Sequence, residues 1–208
     1  QAEAEAANLM ADNGNYFRGG DMHYVDQNGD HRIDSKDRVA LGSAAPDFFG
    51  GFYTQFKYKG FALGAEFSYS KGNMAYNAVR NQLEGMNTLG NQSIAVLNRW
   101  SLDGQVTDMP RVQHNDPYRS TSFSERWLED ASYLRMKSVT LSYSFDKTVL
   151  NFFRSGTLYV SGENLLTATK YLGLDPEFSY SYSETSQGLD YAKMVQPKSV
   201  KFGVNLKF

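Results

Sequence analysis

Five stretches of this chain alternate bulky apolar residues with small or polar ones at a period of two, the pattern of a strand whose two faces meet different surroundings. In the most regular stretch, Phe61, Leu63, Ala65, Phe67 and Tyr69 oppose Ala62, Gly64, Glu66, Ser68 and Ser70. Just before it, Phe48, Gly50, Phe52, Thr54, Phe56 and Tyr58 share one face, and Tyr53, Gln55 and Lys57 share the other. A third stretch sets Val139, Leu141, Tyr143 and Phe145 against Ser138, Thr140, Ser142 and Ser144. A weaker fourth runs from Thr157 to Leu166, and the last sets Val200, Phe202, Val204, Leu206 and Phe208 against Lys201, Gly203, Asn205 and Lys207. On strict alternation Arg135 and Lys137 fall on the apolar phase of the third stretch, which places them beyond any hydrocarbon zone.

Each stretch is about 9–13 residues long, which suits a tilted membrane strand better than the ~5–6 residues usual in soluble sheets. Composition points the same way. Aromatic residues make up 14% of the chain, yet only 41% of residues are hydrophobic and the mean hydropathy is −0.52. A barrel wall reconciles these values, because its strands are apolar toward lipid and polar toward a water-filled interior, with Tyr and Phe forming girdles at the interfaces. The connections alternate too: a tight turn at Lys59-Gly60, a long stretch over residues 71–132, a short link over 146–155 and a long stretch over 169–197. Outer-membrane barrels carry short periplasmic turns and long outer loops. A periplasmic C-terminus therefore puts both long stretches outside. Within the first long stretch, Tyr76 to Leu83 and Ser93 to Trp100 have the spacing of short helices, broken at Gly85 and Gly90.

The run Asp26 to Asp37, DQNGDHRIDSKD, has the oxygen spacing of a twelve-residue calcium loop. Asp26, Asn28, Asp30, Asp34 and Asp37 supply side-chain oxygens, Arg32 supplies a backbone carbonyl at the seventh position, and Gly29 permits the reversal. Hard oxygen ligands suit Ca2+. His31 stands where glycine is usual and Asp37 where a bidentate glutamate is usual, so the match is partial. The competing reading is an acidic turn whose Asp and Asn side chains bond their own backbone.

With 21 basic and 23 acidic residues and no basic block, nucleic acid is excluded as an expected partner. The chain has no cysteine, so thiol chemistry does not arise. No nucleophile elbow, phosphate loop or H-E-x-x-H occurs, and His23, His31 and His114 lack transition-metal spacing. Glu129 and Asp130 are neighbours on a strand and so point to opposite faces, which suits structure and not acid–base catalysis. No enzymatic activity is expected. Gln55, Lys57 and Glu66 are expected to face the barrel interior, and Trp100, Tyr118, Tyr180 and Tyr182 to pack loops or to stack on a solute. The N-terminus QAEAEAANLMADNG has neither the basic start nor the apolar stretch of a signal peptide, so the chain is read as cytosolic or as beginning after something has been removed.

The run DMHYVDQNGDHRIDSKDRVALGSAAPDFFGGFYTQFKYKGFALGAEFSYSKGN, followed by LNRW, MPR, ERWLEDASYLRMKSVTLSYSF, LYVSGENLLTATKYLGLDPE and KSVKFGVNLKF, resembles the C-terminal part of SusC-like TonB-dependent transporters. The resemblance covers nearly the whole chain in the family's order. It implies an all-β fold, a transmembrane antiparallel β-barrel fragment holding the C-terminal five or so strands of a barrel of about 22 strands, with long extracellular loops. Residues 1–46 would be an extracellular segment with the calcium loop, and 47–208 the C-terminal strands and their loops. The implied partners are the remaining N-terminal barrel and plug, TonB through that missing part, a SusD-like lipoprotein, the lipid bilayer, and an oligosaccharide or peptide substrate. The implied location is the bacterial outer membrane. Five strands cannot close a barrel, and open edges in lipid cost several kcal/mol per unpaired group, so the chain is expected to be a fragment that associates with the other strands. The final aromatic, Phe208, resembles an outer-membrane assembly signal. The alternative function is a secreted calcium-binding β-domain for adhesion or carbohydrate binding, whose apolar strand faces would pack against a second sheet.

Overall fold

The computed structural model describes residues 1–146, 154–178 and 187–208. Its chain divides into two compact units, residues 1–42 with 76–128 and residues 43–75 with 129–208. Residues 76–128, which follow the second strand in the chain, thus cluster with residues 1–42.

The second unit is built on one antiparallel sheet of five strands: β1 (Phe48–Tyr58), β2 (Phe61–Lys71), β3 (Tyr133–Asp146), β4 (Ser155–Thr169) and β5 (Ser199–Lys207). Their order in the sheet is their order in the chain. The five alternating stretches therefore each form a strand, and consecutive strands pair as neighbours. Register aligns the apolar sets into rows that cross the whole sheet. One row runs Phe56, Leu63, Leu141, Val160, Phe202, and the next runs Tyr58, Phe61, Tyr143, Leu158, Val204. On the opposite face lies the row Gln55, Gly64, Thr140, Ser161, Lys201, and beside it Tyr53, Glu66, Ser138, Glu163, Ser199. A one-residue slip anywhere would mix the two faces.

The apolar rows are uncovered. Phe56 is 69% exposed and Phe202 82% exposed, values at odds with a sandwich core, where such side chains interdigitate with a second sheet. Rings do meet within the face: Phe52 stacks on Phe67 at 4.7 Å, and Phe61 lies 4.6 Å from Tyr143.

Two local devices set this sheet. The β1–β2 hairpin closes through Lys59 and Gly60, with φ of 43° and 86°, both left-handed, as a two-residue type I′ turn requires. Gly60 is fixed twice over, since a Cβ there would also lie 2.8 Å from the Ser144 carbonyl oxygen. The second device is a bulge. Glu66 pairs with Ser138 but Phe67 pairs with Met136, so Lys137 is an extra residue relative to β2. That insertion resets the alternation: Met136 and Leu134 join the apolar face, and Arg135 aligns with Ser68 and Thr167 on the polar face. The expectation that Arg135 and Lys137 sit on the apolar phase is thereby corrected. Strict period-two counting fails at a bulge because two residues there oppose one.

In the first unit, helix α1 spans Ala2–Ala7 and helix α2 spans Ala78–Glu84. The Asn77 side chain caps α2 by accepting the Arg80 N–H at 2.9 Å, satisfying one of the orphan donors of its first turn. The other expected helix becomes the 3-10 turn Ile94–Asn98, begun by Ser93, whose hydroxyl accepts the Ala95 N–H. Small cores hold this unit together: Leu9, Ala11 and Phe17 form one, and Met86, Val96 and Met109 another. Trp127, 1% exposed, has the guanidinium groups of Arg80 and Arg126 at 5.7 and 5.0 Å from its ring.

Candidate functional site

The polar face of the sheet collects the chemistry of the second unit. Gln55, Lys57 and Glu66 all lie on it, as expected, and all are exposed. Glu66 accepts from the Ser138 hydroxyl at 3.4 Å. Glu163 accepts from Ser199 at 2.9 Å and pairs with Lys201 at 2.5 Å.

At the end of the sheet away from the Lys59-Gly60 turn, this face carries a buried ion cluster. Arg135, with a side chain 5% exposed, reaches Asp175 at 2.5 Å through Nη2 and Glu177 at 2.7 Å through Nη1. Its Nε donates to the Thr167 hydroxyl at 3.0 Å. Lys137, turned inward by the bulge, meets the same Glu177 oxygen at 2.6 Å, while Tyr133 and Ser68 donate to the other oxygen at 2.8 and 3.1 Å. Asp175 also accepts the backbone N–H groups of Glu177 at 2.9 Å and Gln196 at 3.1 Å. Two cations face two anions, and every carboxylate oxygen has a donor. Burial opposes ionisation of Asp175, but the Arg135 guanidinium and the two N–H groups outweigh it and hold the carboxyl below its ordinary value. Burial likewise opposes ionisation of Glu177, and Lys137, Tyr133 and Arg135 hold it low.

Sequence reasoning missed this cluster. The signal was present in two cations that interrupt an otherwise apolar phase, because a charged pair out of step inside a strand marks a bulge as readily as a strand end.

Nearby contacts close the base of the same connection. Glu129 accepts the Leu172 N–H at 2.9 Å, and Tyr171 donates to Asp190 at 2.6 Å. The Tyr171 hydroxyl is pushed up by burial and by Asp190. Glu129 and Asp130 do act separately: Asp130 accepts the Ser132 N–H at 2.9 Å and lies 3.8 Å from Lys71.

In the first unit the acidic loop folds on itself. Asp26 accepts the N–H groups of Gly29 and His31, Asn28 that of Asp30, and Asp30 that of Arg32. Asp34 accepts the Lys36 N–H, and Asp37 those of Gln27 and Asp34. His31, in the place usual for glycine, takes φ of 60°. Among the described residues no three His, Cys, Asp or Glu side chains converge as a metal site; the carboxylates of the loop are bonded to its own backbone N–H groups. Trp100 packs over Gly20, where a Cβ would fall 2.4 Å from the ring, and Tyr118 lies under Arg111 at 4.9 Å. Tyr180 and Tyr182 lie outside the described residues.

An antiparallel sheet of long strands, apolar and uncovered on one side and hydrophilic on the other, is the wall of an outer-membrane-type β-barrel. No family model matches the chain, but individual relatives do. It is 33% identical over 197 residues to TonB-dependent receptor P3 of Formosa agariphila, covering 91% of this chain and 19% of that protein. It is 26% identical over 188 residues to the TonB-dependent receptor SusC of Bacteroides thetaiotaomicron, covering 89% of this chain and 17% of SusC. Among solved structures, that of the RagAB peptide transporter superposes with a TM-score of 0.71 at 28% identity, over 85% of this chain and 19% of that one. The chain is a SusC-like segment of a TonB-dependent, outer-membrane β-barrel receptor. It spans about a fifth of the length of the curated relatives it matches.

Proposed function

We propose that this segment forms part of the wall and the outer loops of an energy-coupled importer of oligosaccharides or peptides, which works with a SusD-like surface lipoprotein and draws energy through TonB. The two-faced sheet carries the reading: rows of uncovered Phe, Leu and Val suit acyl chains, and the Ser, Thr, Glu and Lys rows suit an aqueous passage. The names of the relatives, all receptors or transporters, support it. With the C-terminus periplasmic, the Lys59-Gly60 turn faces the periplasm and the acidic loop faces outward. The segment then has no chemistry to perform; it bounds the path and helps select what passes.

The experiment is uptake of labelled oligosaccharides and oligopeptides by cells expressing the full receptor, with and without it. Uptake of one class that depends on both the receptor and TonB is the expected result. Equal uptake of both classes in the deletion strain overturns the proposal.

The acidic loop is proposed to take Ca2+ as a rigidifying ion. In support, its donor set is all oxygen, and each carboxylate oxygen that accepts one N–H retains a lone pair for a cation.

A further inference from the structure

The contacts at the root of the connection between β4 and β5 carry an inference that rests on the importer reading and goes beyond it. Ser68, Arg135 and Thr167 are in register across three strands, and their side chains point to the polar face. Glu177 bonds Ser68, Tyr133, Arg135 and Lys137 together. Residues 175–177 therefore lie over that face and do not stand clear of the strand ends. The returning arm is tied to the same point, because Asp175 accepts the Gln196 N–H and the Asn164 amide donates to the Pro197 carbonyl at 3.2 Å. Outgoing and returning backbone are thus joined through one carboxylate, and that carboxylate is joined to the wall through Arg135.

We propose that residues 175–177 are a fixed, inward-lying lining of the aqueous passage, latched to the wall by Arg135, and do not belong to any lid that swings between open and closed states. A lid must exchange contacts of similar free energy in two positions. This segment instead sets a buried, bidentate Arg–carboxylate fork beside a second ion pair, and removing one partner of such a buried set strands the other charges without compensation. Arg135 is a positioning residue; the segment it holds, not the guanidinium, borders the passage. Lysine cannot replace it fully, since one ammonium cannot span Asp175, Glu177 and Thr167 in the plane that the guanidinium fork supplies.

This chain has no cysteine, so, with any cysteine elsewhere in the receptor replaced by serine, a spin-label pair is placed through Leu174→Cys, at an exposed position of the segment, and Asn205→Cys on β5. Pulsed paramagnetic resonance on the full receptor in outer-membrane lipid should give one narrow distance distribution, unchanged when a mixture of oligopeptides or of oligosaccharides is added. Arg135→Gln should broaden it at least twofold, Arg135→Lys should broaden it less, and Glu177→Gln, which leaves the Asp175 pair in place, serves if Arg135→Gln does not assemble. A broad or two-peaked distribution in the parent protein, a shift on adding either mixture, or an unchanged width in the variant that assembles overturns the proposal. Because the distance is read without transport, failure of the latch leaves uptake intact, and failure of uptake with a narrow distance overturns the importer reading alone.

Discussion

At Lys137 one extra residue decides the fate of two charges. Without the bulge, Arg135 and Lys137 would fall on the apolar face near the end of the sheet, where a cation at the membrane interface costs about 0–1 kcal/mol and its carboxylate partners would be left behind. With it, both turn to Asp175 and Glu177. The linkage sign follows from the two carboxyls, which are held below their ordinary values of 3.8 and 4.5. A carboxyl with a depressed folded-state pKa contributes stability that is full above its unfolded value and is lost as pH falls through the lower folded value. Hydrogen exchange at the Glu177 and Gln196 amides should therefore be slow and steady in its structural protection from neutral pH down to about pH 5. Protection should fall below pH 4 or so, and Asp175→Asn should shrink that acid step to the part carried by Glu177. The acidic loop gives a second residue-scale prediction. If Asp26 and Asp30 ligate Ca2+, adding the ion raises the melting temperature of the first unit, and the Asp26→Ala/Asp30→Ala double variant, with its ligands gone, shows no such rise in a thermal scan.

Among the elements, the β1–β2 hairpin was the most legible. A Lys-Gly pair between two alternating runs predicts a two-residue turn, and the left-handed φ at both positions is what that turn demands. Gly60→Ala places a Cβ against the Ser144 carbonyl and strains a positive φ, so it should cost roughly 1–3 kcal/mol in urea-monitored folding into vesicles. Lys59→Asn should be neutral or stabilising, because asparagine tolerates the left-handed region better. The bounds of β1, β2 and β5 were also readable, since their alternation is continuous, whereas β3 and β4 extend beyond the alternating residues. The β3 bulge was not readable from alternation alone: it is stabilised by what Arg135 and Lys137 meet 40 residues on, and no local pattern encodes that distance. The second expected helix tightened to a 3-10 turn for a similar reason, because an isolated helix of a few residues is marginal and packing decides its form.

For the whole molecule, the uncovered apolar rows govern where the protein can exist. Phe202 sits mid-strand on β5 in the row with Val160, Leu141, Leu63 and Phe56, so Phe202→Lys should destabilise the assembled barrel by about 2–4 kcal/mol. Lys201→Gln, one residue away on the polar face, should change stability by less than about 1 kcal/mol, as loss of an exposed ion pair does. Equal effects of the two in a vesicle-folding titration would show that the apolar rows do not face lipid.

The sequence by itself determined the strands, their two faces and the turn between the first two, because alternation and turn residues act through neighbours along the backbone. It also carried the resemblance to SusC-like receptors and the polar placement of Gln55, Lys57 and Glu66. Only the tertiary structure decided that residues 76–128 fold with the N-terminal segment, that Arg135 and Lys137 turn inward, and that Asp175 and Glu177 wait there for them. Those outcomes depend on charges brought together from distant parts of the chain, where the cost of leaving any one of them buried and unpaired selects the arrangement that satisfies all four.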